Sequence, residues 1–374
     1  MKKMIAIAAA LMLGILACTG CSSSNESQSE PSTATGEVSS QEPAAEQAQE
    51  NEYYIFELSD NVDRTAVTFQ NRYGIELSGD LYVAQDLDES ASHPALVIGP
   101  PYGGVKEQGP GVYANELAQR GFVVLTFDPS FNGESGGEPR HVSSPDIFTE
   151  DFSAGVDYLG TLDYVDRERI GAIGICGSGG FALAAAQVDT RIKAVATASL
   201  FDVSASGNGL DTEAWSTAVD AVAQQRWADV DSGTPEYIPT YPEAPTEEIP
   251  EVLEGIWAEF YSFYGLERGH HPRALGGFTT TSNLAFYNFQ LLGHLNMLTQ
   301  PVLFMAGENA ETRSISEAAY EQAASPAKDL IIVPDANHVD LYDDTTKIPF
   351  DDLTVFFNEN MVINPGVGGV LWVL

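Results

Sequence analysis

The chain is short of cations. Its 374 residues include 17 Lys and Arg against 54 Asp and Glu, a formal net charge of −37 at pH 7. Binding nucleic acid requires a basic patch that releases counterions from phosphate, and too few cations are present to build one. The same shortage disfavours adhesion by charge to an anionic membrane surface. Cysteine is scarce too, with three in the chain, so no dense disulfide framework is available. The apolar run Ile5 to Leu16 is too short to span a bilayer comfortably. What is present is a globular composition, 44% hydrophobic and 10% aromatic, which suffices for one large domain or one domain with an insert. Charged residues are only 19% of the total, so the acidity reflects missing Lys and Arg more than long acidic runs.

Met1-Lys2-Lys3 followed by the Ala- and Leu-rich run reads as a secretory signal. It ends in Leu16-Ala17-Cys18-Thr19-Gly20-Cys21-Ser22, small residues before a Cys that resemble the lipobox of bacterial lipoproteins. Thr19-Gly20 fits the small-residue requirement better than Leu16-Ala17, which favours Cys21 as the lipidated residue over Cys18; a plain secretion signal is the simpler alternative. The expectation is an extracytoplasmic protein of the bacterial cell envelope, attached to the membrane by lipid rather than by charge. Residues 22–51 are rich in Ser, Glu, Gln, Ala, Thr and Pro without Lys or Arg, and read as a solvated acidic tether. With residues 1–21 processed to the lipobox Cys, Cys176 is left as the free cysteine of the exported domain.

From residue 52 to 360, short β-branched or aromatic runs alternate with longer helical patterns, the signature of an α/β domain with a mostly parallel central sheet and helices on both faces. Strands are expected at about Thr65–Gln70, Glu76–Val83, Ala95–Ile98, Val123–Phe127, Ile170–Ile175, Ala194–Ala198, Val302–Ala306 and Leu330–Val333. Helices fit at about Val112–Arg120, Ile147–Leu162, Gly179–Val188, Ser316–Ala324 and Phe350–Asn360. The alternation stops over about 203–298, which holds Trp215, Trp227, Trp257 and the run Phe260-Tyr261-Ser262-Phe263-Tyr264. That length reads as an inserted lid, whose aromatics form its own core or line a pocket. Residues 361–374 form an apolar tail without an assigned role.

The run Ile170-Gly171-Ala172-Ile173-Gly174-Ile175-Cys176-Gly177-Ser178-Gly179-Gly180 passes from an apolar strand through small residues into an Ala-rich helix. Laid on G-x-S-x-G, Gly174 takes the first position and Cys176 the nucleophile position, with Ser178 as nucleophile in a second register. The helix start and a nearby His would favour the thiolate. A rival reading matches Gly177-Ser178-Gly179-Gly180-Phe181-Ala182 to a dinucleotide fingerprint, but such a motif usually opens its domain, and several strands precede this one. His338, in the turn after the last strand, is placed to act as base. The Gly-rich turn Gly99-Pro100-Pro101-Tyr102-Gly103-Gly104 can aim an amide at a developing oxyanion, from Tyr102 first and Gly103 next, with the second amide from Gly177. The acid is less plain. Ala310 occupies the position that Gly-x-x-Asp spacing assigns to it, leaving Asp202 and Glu308 as equal candidates and Glu311 behind them. His270-His271 are adjacent, and adjacent residues rarely converge on one metal, so no metal site is read.

Gly103-Gly104-Val105-Lys106-Glu107-Gln108, Phe127-Asp128 with Gly133-Glu134-Ser135-Gly136-Gly137-Glu138-Pro139-Arg140, Gly174-Ile175-Cys176-Gly177-Ser178-Gly179-Gly180 and His338-Val339-Asp340-Leu341-Tyr342-Asp343 together resemble the dienelactone-hydrolase-related branch of the α/β-hydrolases, which includes fungal polyketide transferases. The resemblance implies the α/β-hydrolase fold and ester, lactone or thioester chemistry on a small-molecule substrate through Cys or Ser, with no cofactor. Two alternatives stand beside it: a catalytically lapsed envelope binding protein, motivated by Ala310, and an X-prolyl or serine-type peptidase on the same fold. Between Val203 and Leu275 thirteen Asp and Glu face three Arg and no Lys, so neutral or cationic esters are the expected substrates.

Overall fold

A computed structural model describes residues 53–361 except 208–209. The expected signal, the lipidation site at Cys21 or Cys18, the tether and the apolar tail from Val362 onward lie outside the described residues. A compact unit begins at Tyr54.

Eight strands, β1 (Val62–Gln70), β2 (Glu76–Ala84), β3 (His93–Gly99), β4 (Val123–Phe127), β5 (Val165–Ile175), β6 (Ile192–Ala198), β7 (Val302–Gly307) and β8 (Lys328–Val333), form one sheet. Its order is β1-β2-β4-β3-β5-β6-β7-β8, antiparallel at β1/β2 and β2/β4 and parallel elsewhere. The inner strands are largely apolar where helices cover both faces: all five residues of β4 and the last six of β5 are buried. Side chains still alternate. On β3, Ala95 and Val97 join one core while Leu96 and Ile98 join the other, and on β5 Ala172 and Ile173 divide the same way. Strand β1, at the edge, is mostly solvated.

Helices α1 (Gly109–Ala118) and α9 (Phe350–Asn360) supply Tyr113, Leu117, Leu353 and Phe357 to one core. On the other face, α2 (Pro145–Leu159) and α3 (Gly177–Val188) contribute Phe148, Phe152, Phe181 and Leu183, and α7 (Arg313–Gln322) adds Ala319. Each fully buried aliphatic or aromatic side chain contributes roughly 1.5–3 kcal/mol. The segment between β6 and β7 carries α4 (Thr212–Ser232), α5 (Gly255–Tyr264) and α6 (Asn283–Asn288). Of these, α4 lies at the surface. Ala218 and Val222 are its buried residues, and Trp227 is 67% exposed, so this Trp belongs to no insertion core. Among the described residues, no helix is long and apolar enough to cross a membrane.

The sheet order creates one topological switch. From β3 the chain goes to β4 on one side, while β5 pairs on the other, so the loops leaving the C-terminal ends of β3 and β5 diverge and leave a crevice between them. Tyr102 follows β3 and Cys176 follows β5.

Candidate active site

Strand β5 turns into α3 at Cys176, whose backbone adopts φ 55° and ψ −117°. A left-handed conformation at a non-glycine residue costs of order 1–3 kcal/mol and persists only where its surroundings impose it. Here the Cys176 amide donates to the Ala198 carbonyl at 2.8 Å, and the Cys176 carbonyl accepts from the amides of Gly179 and Phe201, each at 3.0 Å. The flanking small residues have steric reasons. A Cβ on Gly174 would overlap the Ser178 carbonyl, and one on Gly177 would lie 2.6 Å from Tyr102 Cβ. The glycine at 177 thus lets the β3 loop approach the nucleophile turn.

That approach brings two amides to the thiol. Gly177 and Tyr102 both direct backbone N–H groups at Cys176 Sγ, and the Tyr342 hydroxyl interacts with it as well. The Tyr102 side chain points elsewhere, donating from its hydroxyl to Ser143 Oγ at 2.8 Å and packing on Phe278 with ring centroids 4.2 Å apart. Gly103 takes φ 86° in the turn, and its own amide is not among the Sγ partners. Burial pushes the Cys176 thiol up to about 11, against the three hydrogen-bonding groups that favour the thiolate. Desolvation is the largest of these influences, and no histidine is among the groups acting on the thiol. Ser178 lies in the first turn of α3 and donates its hydroxyl to the Pro100 carbonyl, which ties the β3 loop to the helix.

His338 follows β8 and is fully buried. Its Nδ1 lies 2.5 Å from Thr312 Oγ1, and its Nε2 lies 3.0 Å from the Tyr342 hydroxyl. Phe260 of α5 packs edge-on against the ring at 5.1 Å. Burial without a carboxylate partner pushes the imidazolium down to about 3, so the ring is neutral. None of the three acid candidates is among its partners. Asp202 accepts from the Ser204 hydroxyl at 2.5 Å and the Ser204 amide at 3.0 Å. Glu308 is exposed and accepts from the Asp335 amide at 3.2 Å; Glu311 is exposed as well. Glu259, on α5, bonds to the backbone of this loop, accepting from the Val339 amide at 2.9 Å.

Thr312 and Tyr342 thus stand at positions for which the sequence reading had no candidate. Thr312, two residues beyond Ala310, is not ionisable and so carries no mark of a triad acid. Tyr342 carried a detectable signal: it sits four residues after His338, and α8 (Asp340–Asp343) gives that spacing a helical turn that sets both rings together.

Two of the motifs that carry the resemblance meet away from the thiol. Lys106 Nζ lies 2.6 Å from Glu107 Oε1, 2.7 Å from Glu134 Oε2 and 3.6 Å from Asp128 Oδ2. Arg273 of the insertion reaches Glu107 at 2.5 Å and Glu134 at 3.2 Å. The three carboxylates are close enough together to hold a hard cation, but the Lys106 ammonium occupies their centre, and the cluster ties the loops after β3 and β4 to the insertion. His271 borders it, buried and pushed down to about 4 by desolvation; His270 turns to the Pro242 carbonyl at 3.0 Å. The two imidazoles have separate partners.

A strand-to-helix turn with Cys176 in a strained conformation, set at the switch point of a mostly parallel sheet, defines the class: the chain belongs to the α/β-hydrolase superfamily. Within it, the chain shares a family with two bacterial proteins. It is 46% identical to the uncharacterized protein PA2218 of Pseudomonas aeruginosa over 315 residues, covering 82% of this chain and 83% of that one. The crystal structure of PA2218 superposes with a TM-score of 0.76, over 82% of this chain and 96% of that chain. Identity to the uncharacterized protein YcjY of Escherichia coli is 38% over 312 residues, 80% of this chain and 99% of the relative. The family model described as X-Pro dipeptidyl-peptidase (S15 family) matches residues 74–237. Over 138 residues, 36% of this chain and 42% of the other, the chain is 35% identical to the thiohydrolase aneE of Aspergillus aculeatus.

Proposed function

We propose that the protein hydrolyses a carboxylic ester, lactone or thioester through an acyl intermediate on Cys176. The observation that carries this reading is the convergence of the Gly177 and Tyr102 amides on Cys176 Sγ, because an acyl carbonyl attacked by that sulfur would place its oxygen within reach of the same donors. Attack forms the S–C bond and an oxyanion, and collapse expels the alkoxide or thiolate, which takes a proton from His338. Water activated by His338 then releases the acid. A thiol suits the third group found here. Thr312 can hold the Nδ1–H tautomer of His338 by accepting its proton in a hydrogen bond, but it cannot balance an imidazolium as a carboxylate does; sulfur needs less help from the base than a hydroxyl would. The partial similarity to a thiohydrolase supports the thioester within this substrate class.

The acidic insertion supports neutral or cationic substrates over anionic ones, an effect that salt would screen. The lipobox-like segment supports attachment to the envelope membrane through Cys21 and an extracytoplasmic location. The experiment is turnover by the full chain of short-chain nitrophenyl esters and acyl thioesters, compared with Cys176→Ala, Ser178→Ala and His338→Ala. Loss in the first and third variants supports the reading. No turnover by the folded wild-type protein counts for a lapsed, binding-only fold, and loss confined to Ser178→Ala moves the nucleophile.

A peptidase is the second reading, favoured by the family match over residues 74–237. Cleavage of X-Pro nitroanilides at rates above those for esters would establish it over the first.

A further inference from the structure

We propose that Tyr342 carries the proton between Cys176 and His338, so that the nucleophile and its base act through a phenol rather than in direct contact. This rests on the acyl-transfer reading above and extends it. Both ring nitrogens of His338 are engaged, Nδ1 with Thr312 and Nε2 with the Tyr342 hydroxyl at 3.0 Å, while the same hydroxyl interacts with the Cys176 thiol. The route from sulfur to base therefore runs through one oxygen.

The oxygen is held in place. Tyr342 is fully buried, its ring packs edge-on against Phe263 at 5.1 Å, and the Tyr113 hydroxyl donates to the neighbouring Leu341 carbonyl at 2.7 Å. A Cβ on Gly109 would lie 3.2 Å from the Tyr342 carbonyl, so α1 packs closely against this turn. Rotation of the side chain away from the thiol would need the core to open.

The proton balance follows from the donors. Tyr342 Oη–H donates to Nε2, which leaves the other proton on Nδ1, donated to Thr312 Oγ1. As substrate is attacked, the S–H bond breaks and its proton passes to Tyr342 Oη, while the original Oη–H proton passes to Nε2. The products are a sulfur nucleophile, a neutral phenol and an imidazolium. Burial holds the phenol far above its ordinary range, so the transfer is concerted and no tyrosinate accumulates.

The test uses the full chain and two readouts, one of which needs no substrate. Tyr342→Phe keeps the ring and removes the hydroxyl. Nitrophenyl ester kcat is expected to fall at least tenfold with KM changed less than threefold, and iodoacetamide alkylation of Cys176 is expected to need a higher pH. His338→Gln should show the same alkylation shift, and the double variant should be no slower than the worse single one, because both removals break one path. Alkylation and kcat within twofold of wild type in Tyr342→Phe would overturn the relay, as would losses that multiply in the double variant. If Tyr342→Phe does not fold, turnover by the wild-type protein in H2O/D2O mixtures decides: a bowed dependence supports two protons in flight, and a straight line overturns it. Absence of turnover together with the alkylation shift sinks the hydrolase reading and leaves the relay; turnover that requires His338 but not the Tyr342 hydroxyl does the reverse.

Discussion

Thr312 Oγ1 lies 2.5 Å from Nδ1 of His338. A neutral hydroxyl thus occupies the place from which an acid orients a catalytic imidazole, and the hydroxyl can fix the tautomer but supplies no negative charge. Two substitutions separate those roles. Thr312→Val removes the acceptor and should lower kcat by about 10- to 100-fold, part of the roughly 10²–10⁴ that general acid–base catalysis contributes. Thr312→Asp adds the charge and should raise the acid limb of the kcat/KM profile by about 1–3 pH units. Steady-state kinetics across pH reads both, and an unchanged profile in Thr312→Asp would show that this contact does not govern the base.

The neutral pair has a signature in thiol reactivity. With Cys176 pushed up to about 11 and His338 down to about 3, alkylation of the free protein should rise with pH through the alkaline range, without the plateau between pH 4 and 8 that a thiolate–imidazolium pair gives. Mass-spectrometric mapping of iodoacetamide at Cys176 provides the rates. A plateau in that interval would establish an ion pair.

Stability should carry the same imprint. His338 sits at about 3 against an ordinary 6.5, so the unfolded chain binds a proton that the folded one refuses. Stability is complete above pH 6.5 and falls as the pH drops towards 3, by roughly 1.4 kcal/mol per pH unit. Asp128 and Asp151 are raised to about 6 and about 7 by burial and act in the opposite sense. The difference between wild type and His338→Gln isolates the histidine: urea unfolding should show the variant gaining on the wild type as the pH falls from 6.5 to 4. Parallel curves would mean that the imidazole is protonated in the folded state.

The nucleophile turn sets a further expectation. Gly177→Ala places a methyl 2.6 Å from Tyr102 Cβ, which pushes apart the two loops whose amides face Cys176. Loss of one oxyanion donor costs about 10²–10³ in kcat, with substrate affinity little affected. Wild-type turnover in this variant would mean that the amides are not the oxyanion donors.

The sheet and the strand-to-helix turn at Cys176 were legible in the sequence because their signals are local. Val123–Phe127 is buried on both sides and so is apolar but for Thr126, and Gly174 and Gly177 are small because neighbouring backbone and Tyr102 leave no room. The partner of the imidazole's Nδ1 was not. Thr312 lies 26 residues before His338 in the chain and is not ionisable, so neither spacing nor chemistry marks it. Asp202 and Glu308 have the right chemistry but are turned to other partners, Ser204 and the Asp335 amide. In the insertion, the number of aromatics was plain but their direction was not: Phe260 packs on His338 while Trp227 faces solvent, and α4 buries too little to show an apolar stripe.

The cluster around Lys106 gives the last expectation. One ammonium, itself 2% exposed, stands between Glu107, Asp128 and Glu134. Lys106→Met keeps the stem and removes the charge, leaving buried Glu107 and Asp128 beside half-exposed Glu134, with Arg273 to offset them. Breaking a buried pair in this way costs about 3–5 kcal/mol. Adding Glu107→Gln to Lys106→Met removes one of the uncompensated charges and should recover part of the loss, which distinguishes electrostatic from packing damage. Because Arg273 bonds to the same carboxylates from the insertion, the single variant should also be cut by trypsin within residues 203–298 more readily than the wild type. Denaturant midpoints and the cleavage pattern measure the two effects. A double variant less stable than Lys106→Met would show that this cluster contributes through packing rather than charge.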